Sequence, residues 1–246
     1  SQSMDAIPYF SDYTFSADER KVILETNTES IFRYSVLGHY YVYDTTSETL
    51  EMISEHKIQE PAFSPDGTKV AYGRDNNLFI KDLISGATKQ ITFDGEKNKI
   101  INGITDWVYE EEFAFVRAFE WNASSDKIAF IRFDETEVPE FSMDVYGTEL
   151  YQTQEVFKYP KAGEKNAEVS LHFYDLSTDE ISTTSLSKTY NDFYIPRIKW
   201  TKDPNILSAQ YINRHQNALD LWLINPTTNQ ADLVLTEKDE AYVDVT

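Results

Sequence analysis

Apolar and polar positions alternate along most of the chain in short runs of strand period, and the runs recur as a unit. An aromatic, a turn-forming cluster and an apolar run appear as FSADERKVIL from Phe15, FSPDGTKVAY from Phe63, WNASSDKIAF from Trp121 and WTKDPNILSA from Trp200. Each reads as the end of one strand, a tight turn and the start of the next. Pro65-Asp66-Gly67 shows the turn chemistry most plainly: proline presets its φ, aspartate bonds the backbone, and glycine accepts φ > 0. A second element follows each time, YYVYD ending at Asp44, LFIKD at Asp82, LHFYD at Asp175 and LWLIN at Asn225. After a turn, a fourth short strand comes next, such as Gln90-Ile91-Thr92 or Leu233-Val234-Leu235.

Four antiparallel strands per unit are the blade of a β-propeller. A β-sandwich built from similar hairpins is the competing architecture, and four matching units favour the propeller. The pattern predicts an all-β chain with about four blades, roughly residues 9–55, 58–93, 113–187 and 194–237. The aromatic starts at 15, 63, 121 and 200 are unevenly spaced, whereas a minimal blade needs roughly 40 to 45 residues. The surplus lies in Thr26 to Leu37, in the link Phe93 to Ala118, and in an insertion over residues 134–169. In repeat proteins such surplus maps to loops, often on the binding face.

Composition narrows the partners. Lys plus Arg is 22 against 42 Asp plus Glu, a formal net charge of −20. That sign disfavours nucleic acid and anionic membrane surfaces, and suits cationic ligands. Aromatics at 14% fit a pleated β-surface. With no cysteine, disulfides, thiol catalysis and cysteine-based zinc sites are excluded. No apolar stretch is long enough to span a membrane as a helix, and SQSMDAIPYF lacks the regions of a signal peptide. No cofactor or metal motif is present. His39, His56, His172 and His215 fall in or beside strand segments without ligand spacing and read as structural or solvated. Asn122-Ala123-Ser124 matches a glycosylation triplet, a pattern common by chance.

The link between the second and third units reads NGITDWVYEEEFAFVRAF. Thr105 or Asp106 can cap a short helix over Trp107 to Glu112, and aromatics at 113, 115, 119 and 121 then alternate at strand spacing. Glu110, Glu111 and Glu112 thus sit at a helix-to-strand junction. Three adjacent carboxylates repel unless solvent, a cation or an arginine offsets the charge. A solvated acidic turn is the plain interpretation; a calcium site lacks the loop spacing of oxygen ligands.

DWVYEEE resembles the signature of the dipeptidyl peptidase IV family, serine exopeptidases of the prolyl oligopeptidase group. FDETEVPEFSMDVYG, YPKAGEKN and RHQN resemble the same family in the same order, so the likeness covers essentially all 246 residues. The resemblance implies an eight-bladed propeller followed by an α/β-hydrolase domain, and removal of N-terminal dipeptides with Pro or Ala second. It implies that Glu111 and Glu112 bind the substrate's free amine. It implies that Arg33, within SIFRYSVLGHYYVYD, binds the carbonyl of the first substrate residue. It also implies a bacterial enzyme of the periplasm or cell envelope that forms a homodimer, with Phe133 to Tyr159 supplying an extended arm to that contact.

The chemistry suits an aminopeptidase. Cutting after two residues needs a ruler anchored on the N-terminus, and the ammonium is the group that marks that end. Carboxylates bind it through charge-assisted hydrogen bonds. At about 4 Å one such pair is worth roughly 1 kcal/mol in water and about 4 kcal/mol at an effective dielectric of 20.

No G-x-S-x-G nucleophile elbow occurs at any of the eight glycines, so the catalytic hydrolase domain is expected to be absent from these residues. The expected role is therefore substrate anchoring, with the enzyme's own C-terminal α/β-hydrolase domain and peptides with a free N-terminus as partners. Four blades of eight would leave exposed strand edges and apolar faces that invite self-association. The alternative is a stand-alone propeller scaffold for protein interaction; a lectin-like or calcium-dependent binder has no ligand spacing to support it. Fold alone does not separate these, but a scaffold has no need of an amine clamp.

Overall fold

A computed structural model describes residues 9–245; the first eight positions, read above for a leader, lie outside it. Four antiparallel meanders follow one another. The first is β1 (Phe10–Phe15), β2 (Lys21–Ser30), β3 (Val36–Asp44) and β4 (Thr49–Met52). The second is β5 (Gln59–Phe63), β6 (Lys69–Arg74), β7 (Asn77–Asp82) and β8 (Thr88–Gln90). A short β9 (Ile100–Asn102) and the helix α1 (Trp107–Phe113) precede the third. The third sheet orders β10 (Phe119–Trp121), β11 (Lys127–Asp134), β14 (Glu168–Asp175) and β15 (Glu180–Thr183), with β9 paired to the far end of β11. The hairpin β12 (Glu140–Val145) and β13 (Thr153–Lys158) stands apart as a two-stranded arm. The last meander is β16 (Phe193–Trp200), β17 (Leu207–Asn213), β18 (Ala218–Asn225) and β19 (Gln230–Lys238).

Each recurring motif occupies the same place. The aromatic ends the first strand at Phe15, Phe63, Trp121 and Trp200, and the apolar run opens the second at Lys21, Lys69, Lys127 and Leu207. The turns are fastened by side chains. Ser16 Oγ and Ser64 Oγ accept from the amides of Lys21 and Lys69, both at 3.0 Å. Asn122 Oδ1 accepts from Lys127 N at 2.9 Å in the third unit. The residue ending each third strand caps the next turn: Asp44 Oδ1 accepts from Ser47 N, Asp82 from Ser85 N, Asp175 from Ser177 N and Asn225 from Thr228 N.

Burial separates propeller from sandwich. A sandwich sheet hides one face, but the inner sheets here hide both. Val70, Tyr72 and Phe79 pack against Ile23, Tyr40 and Val42 of the first sheet. Their neighbours Ala71, Leu78 and Ile80 pack against Phe119, Ile128 and Phe130 of the third. On β11 the alternate residues Ala129, Ile131 and Phe133 turn to Ile195, Leu207 and Tyr211 of the fourth. The period-2 alternation therefore feeds two cores at once, as stacked blades require. Two recurring aromatics also tie blades through their indoles: Trp121 Nε1 donates to Ala62 O at 3.2 Å and Trp200 Nε1 to Glu120 O at 3.0 Å. The outer faces stay open, with Tyr13 and Phe15 exposed on β1 and Leu233 to Leu235 on β19.

One local expectation needs correction. The alternating aromatics from Phe113 do not form a strand: Ala114 adopts the left-handed region at φ 55°, ending α1, and β10 starts only at Phe119. Phe113 instead completes the buried face of the helix, while Arg117 keeps a single bridge to Ile104. The Asn122 triplet is no acceptor in the fold. Asn122 is fully buried and its amide donates to Ser124 Oγ, Asp126 Oδ1 and Pro204 O.

Candidate amine-binding site

The site is assembled by α1 and by the loop of residues 31–35 between β2 and β3. Asp106 caps α1, its Oδ1 accepting from Tyr109 N at 3.0 Å. The helix then locks onto the fourth blade. Tyr109 is buried, and its hydroxyl accepts from Ile195 N at 2.8 Å. Arg197 Nη1 donates to Phe113 O at 2.9 Å, satisfying a terminal helix carbonyl with a cation at the negative end of the dipole.

Successive residues of a helix fan out by about 100°, so the three glutamates face three ways. Glu110 lies on the buried face with Tyr109 and Phe113, fully enclosed. Its Oε1 accepts from the backbone amides of Tyr34 and Ser35, the latter at 2.9 Å. Glu111 is largely covered and accepts from Arg33 Nε through both oxygens, at 3.1 and 2.8 Å. Glu112 is exposed, and among the described residues it makes no side-chain hydrogen bond. The Arg33 side chain is 63% exposed, and its bond to Glu111 raises its pKa further.

The three residues singled out in the sequence are thus brought together. Arg33 and Glu111, 78 positions apart, are in contact, and Glu112 is the next residue along the helix. Formally the trio carries one net negative charge, the complement of a single ammonium. It lies on an open face rather than in a closed cavity. Sequence reasoning had not assigned a role to Glu110 or Arg197. The available signal for Glu110 was its position three after Trp107 and one turn from Asp106 and Phe113, on the apolar side of the helix.

The insertion folds back on this site. Trp107 and Tyr159 meet at 4.4 Å between ring centroids, and Phe32, beside Arg33, meets Phe157 at 5.7 Å. Between loop, helix and arm lies a cavity of 480 Å³ lined by Phe32, Asp106, Trp107, Glu135 and Phe157. Both of its enclosed acids are pushed up by burial, Asp106 to about 6 and Glu135 to about 7, the latter also by Asp106. For both, the folded pKa lies above the unfolded one. Their contribution is fully present below about pH 4 and is lost as pH rises towards 7. Glu135→Gln mimics the protonated acid. It should match the parent chain near pH 4 and exceed it by on the order of 2 kcal/mol at pH 8 in urea unfolding. Parallel stability profiles for the two proteins would show that Glu135 is ionised in the fold.

The four histidines stay outside this chemistry. His172 is held down to about 4 by burial, bonded to Ser170 and Thr183 and stacked on Phe130. Among the described residues no group of three or more His, Asp or Glu is set to hold a metal ion. No helix among them is long and apolar enough to cross a membrane.

The family profile of the dipeptidyl peptidase IV N-terminal region matches residues 16–246. Human prolyl endopeptidase FAP is 33% identical over 84% of this chain, and a probable dipeptidyl-aminopeptidase B of Aspergillus fumigatus 32% identical over 90%. The crystal structure of Porphyromonas gingivalis dipeptidyl peptidase 4 superposes with a TM-score of 0.93 at 39% identity, covering 98% of this chain. The chain spans 28%, 26% and 35% of those three proteins respectively. Repeated four-stranded blades, the α1 signature and these likenesses agree: the chain belongs to the dipeptidyl peptidase IV N-terminal region family and is a partial β-propeller of it.

Proposed function

We propose that this chain is the substrate-anchoring propeller segment of a serine exopeptidase that removes X-Pro and X-Ala dipeptides from peptide N-termini. Glu111 and Glu112 receive the substrate ammonium, and Arg33 orients the carbonyl of the first residue. The observation that carries this reading is the Arg33–Glu111 pair. It puts a donor for a carbonyl oxygen and acceptors for an amine within hydrogen-bond distance of each other, a spacing suited to the two ends of an α-amino acid unit. Pairing with Arg33 also orients Glu111 before substrate arrives. The acidic chain would draw cationic N-termini inward. A partner α/β-hydrolase domain in the full-length protein would supply the nucleophile and cover the open face, lowering the dielectric and strengthening each contact. The same reading gives a homodimer in which the arm, with Tyr146, Leu150 and Tyr151 exposed at its tip, supplies part of the contact. It places the enzyme in the periplasm or envelope of a bacterium.

Arg33→Ala in the full-length protein tests the reading. Arg33 is exposed and its loop is held by other bonds, so the fold should survive. Catalytic efficiency, kcat/KM, on a free-amine dipeptide-Pro reporter should fall roughly 10- to 100-fold with the melting temperature little changed. A collapsed melting temperature with activity per folded molecule intact would make Arg33 structural.

A further inference from the structure

We propose that Glu110 is a positioning residue for Arg33, holding its loop through the backbone while Glu111 holds its side chain. This rests on the amine- and carbonyl-binding reading above. One oxygen of Glu110 accepts the amides of Tyr34 and Ser35, the two residues that follow Arg33. Within itself, among the described residues, the loop is closed by Ile31 N to Ser35 O, at 2.9 Å, and by Phe32 N to Ser35 Oγ, at 3.2 Å. Those bonds shape the turn but do not place it against α1. The two amides bonded to Glu110 do, across 75 or more residues of sequence.

The choice of residue is informative. Glu110 shares its helix face with Tyr109 and Phe113, where an apolar side chain would pack without polar desolvation. Instead a carboxyl group is fully enclosed, and its Oε2 has no hydrogen-bond partner among the described residues. Such a half-satisfied buried acid is costly. Its gain is the pair of backbone bonds that set where the loop sits, and hence where the Arg33 guanidinium falls relative to Glu111. Two adjacent glutamates therefore fix one loop from two sides, and the third, Glu112, stays open to the amine. The spacing of three successive acids follows from this division: one faces inward, one sideways and one outward.

A double-mutant cycle in the full-length protein separates positioning from bulk folding. Glu110→Ala should lower kcat/KM on a free-amine dipeptide-Pro reporter by about 30-fold in the parent background, and by less than about threefold in the Arg33→Ala background. Its effect on melting temperature should be the same in both. Glu110→Gln retains an oxygen acceptor for both amides and guards against a variant that fails to fold. It should lose about threefold to tenfold in the parent background and nothing further beside Arg33→Ala. Equal losses in both backgrounds, for whichever variant folds, would overturn the proposal while leaving the clamp intact. If Arg33→Ala alone leaves kcat/KM unchanged, the carbonyl-binding reading fails first, and Glu110 positions nothing of consequence to catalysis.

Discussion

Replacing Glu112 by Gln in the full-length protein is expected to lower kcat/KM on free-amine substrates roughly 30-fold, and replacing Glu111 roughly 100-fold. Either change keeps size and most hydrogen-bonding capacity but removes one charge. The asymmetry comes from the structure. In the proposed clamp Glu112 serves the incoming amine alone, whereas Glu111 also holds Arg33 through both its oxygens. Glu111→Gln therefore weakens the amine contact and loosens the carbonyl contact together. The double variant should lose less than the product of the two, because both carboxylates share one ammonium. An N-acetylated substrate presents no ammonium; it should be poor already and respond little to either change. Equal losses on free-amine and acetylated substrates would assign both residues to the fold instead.

Tyr109→Ala should produce the largest loss of stability of any single change in the DWVYEEE segment, about 3 to 5 kcal/mol, seen as a melting temperature lower by roughly 10 °C. The ring is buried against Phe113, Phe133 and Tyr194, with the Phe133 centroid at 4.8 Å. Its hydroxyl accepts the Ile195 amide at the start of the fourth blade. Removing the side chain opens a cavity at the junction of α1 with two blades and orphans that amide. Tyr109→Phe isolates the second effect and should cost about 1 to 3 kcal/mol. Both are read by thermal and urea unfolding of this chain. An alanine variant within about 1 kcal/mol of the parent would mean that α1 is held chiefly by its flanking loops rather than by this side chain.

The blades were legible because each is specified locally. Serine, aspartate or asparagine at fixed offsets ties its own turn, as Ser64 does for Lys69 and Asp82 for Ser85. Alternation of apolar residues on β6 and β11 then serves two interfaces. The cap of α1 was legible for the same reason, since Asp106 acts three residues away. What failed was local pattern without local cause. Aromatics at 113, 115, 119 and 121 have strand spacing, but the first belongs to the helix core and the left-handed Ala114 breaks the run. The role of Glu110 was hidden because its partners lie 75 and 76 residues away, and a carboxylate in an acidic run reads as a surface group. Contacts of the arm with Trp107 and Phe32 depend on how far an insertion of irregular length folds back. The triplet at Asn122 matched a modification pattern, while its amide serves as a tie between blades.

Two adjacent carboxylates on α1 are proposed to read the free N-terminus of a peptide. The most direct measurement is a crystal structure of the full-length protein with a slowly cleaved X-Pro peptide bound. The peptide ammonium is expected within about 3 Å of both the Glu111 and Glu112 carboxylates, and the first carbonyl oxygen within hydrogen-bond reach of Arg33. A bound peptide whose ammonium lies more than about 5 Å from both glutamates, paired with other groups or with solvent, would contradict it.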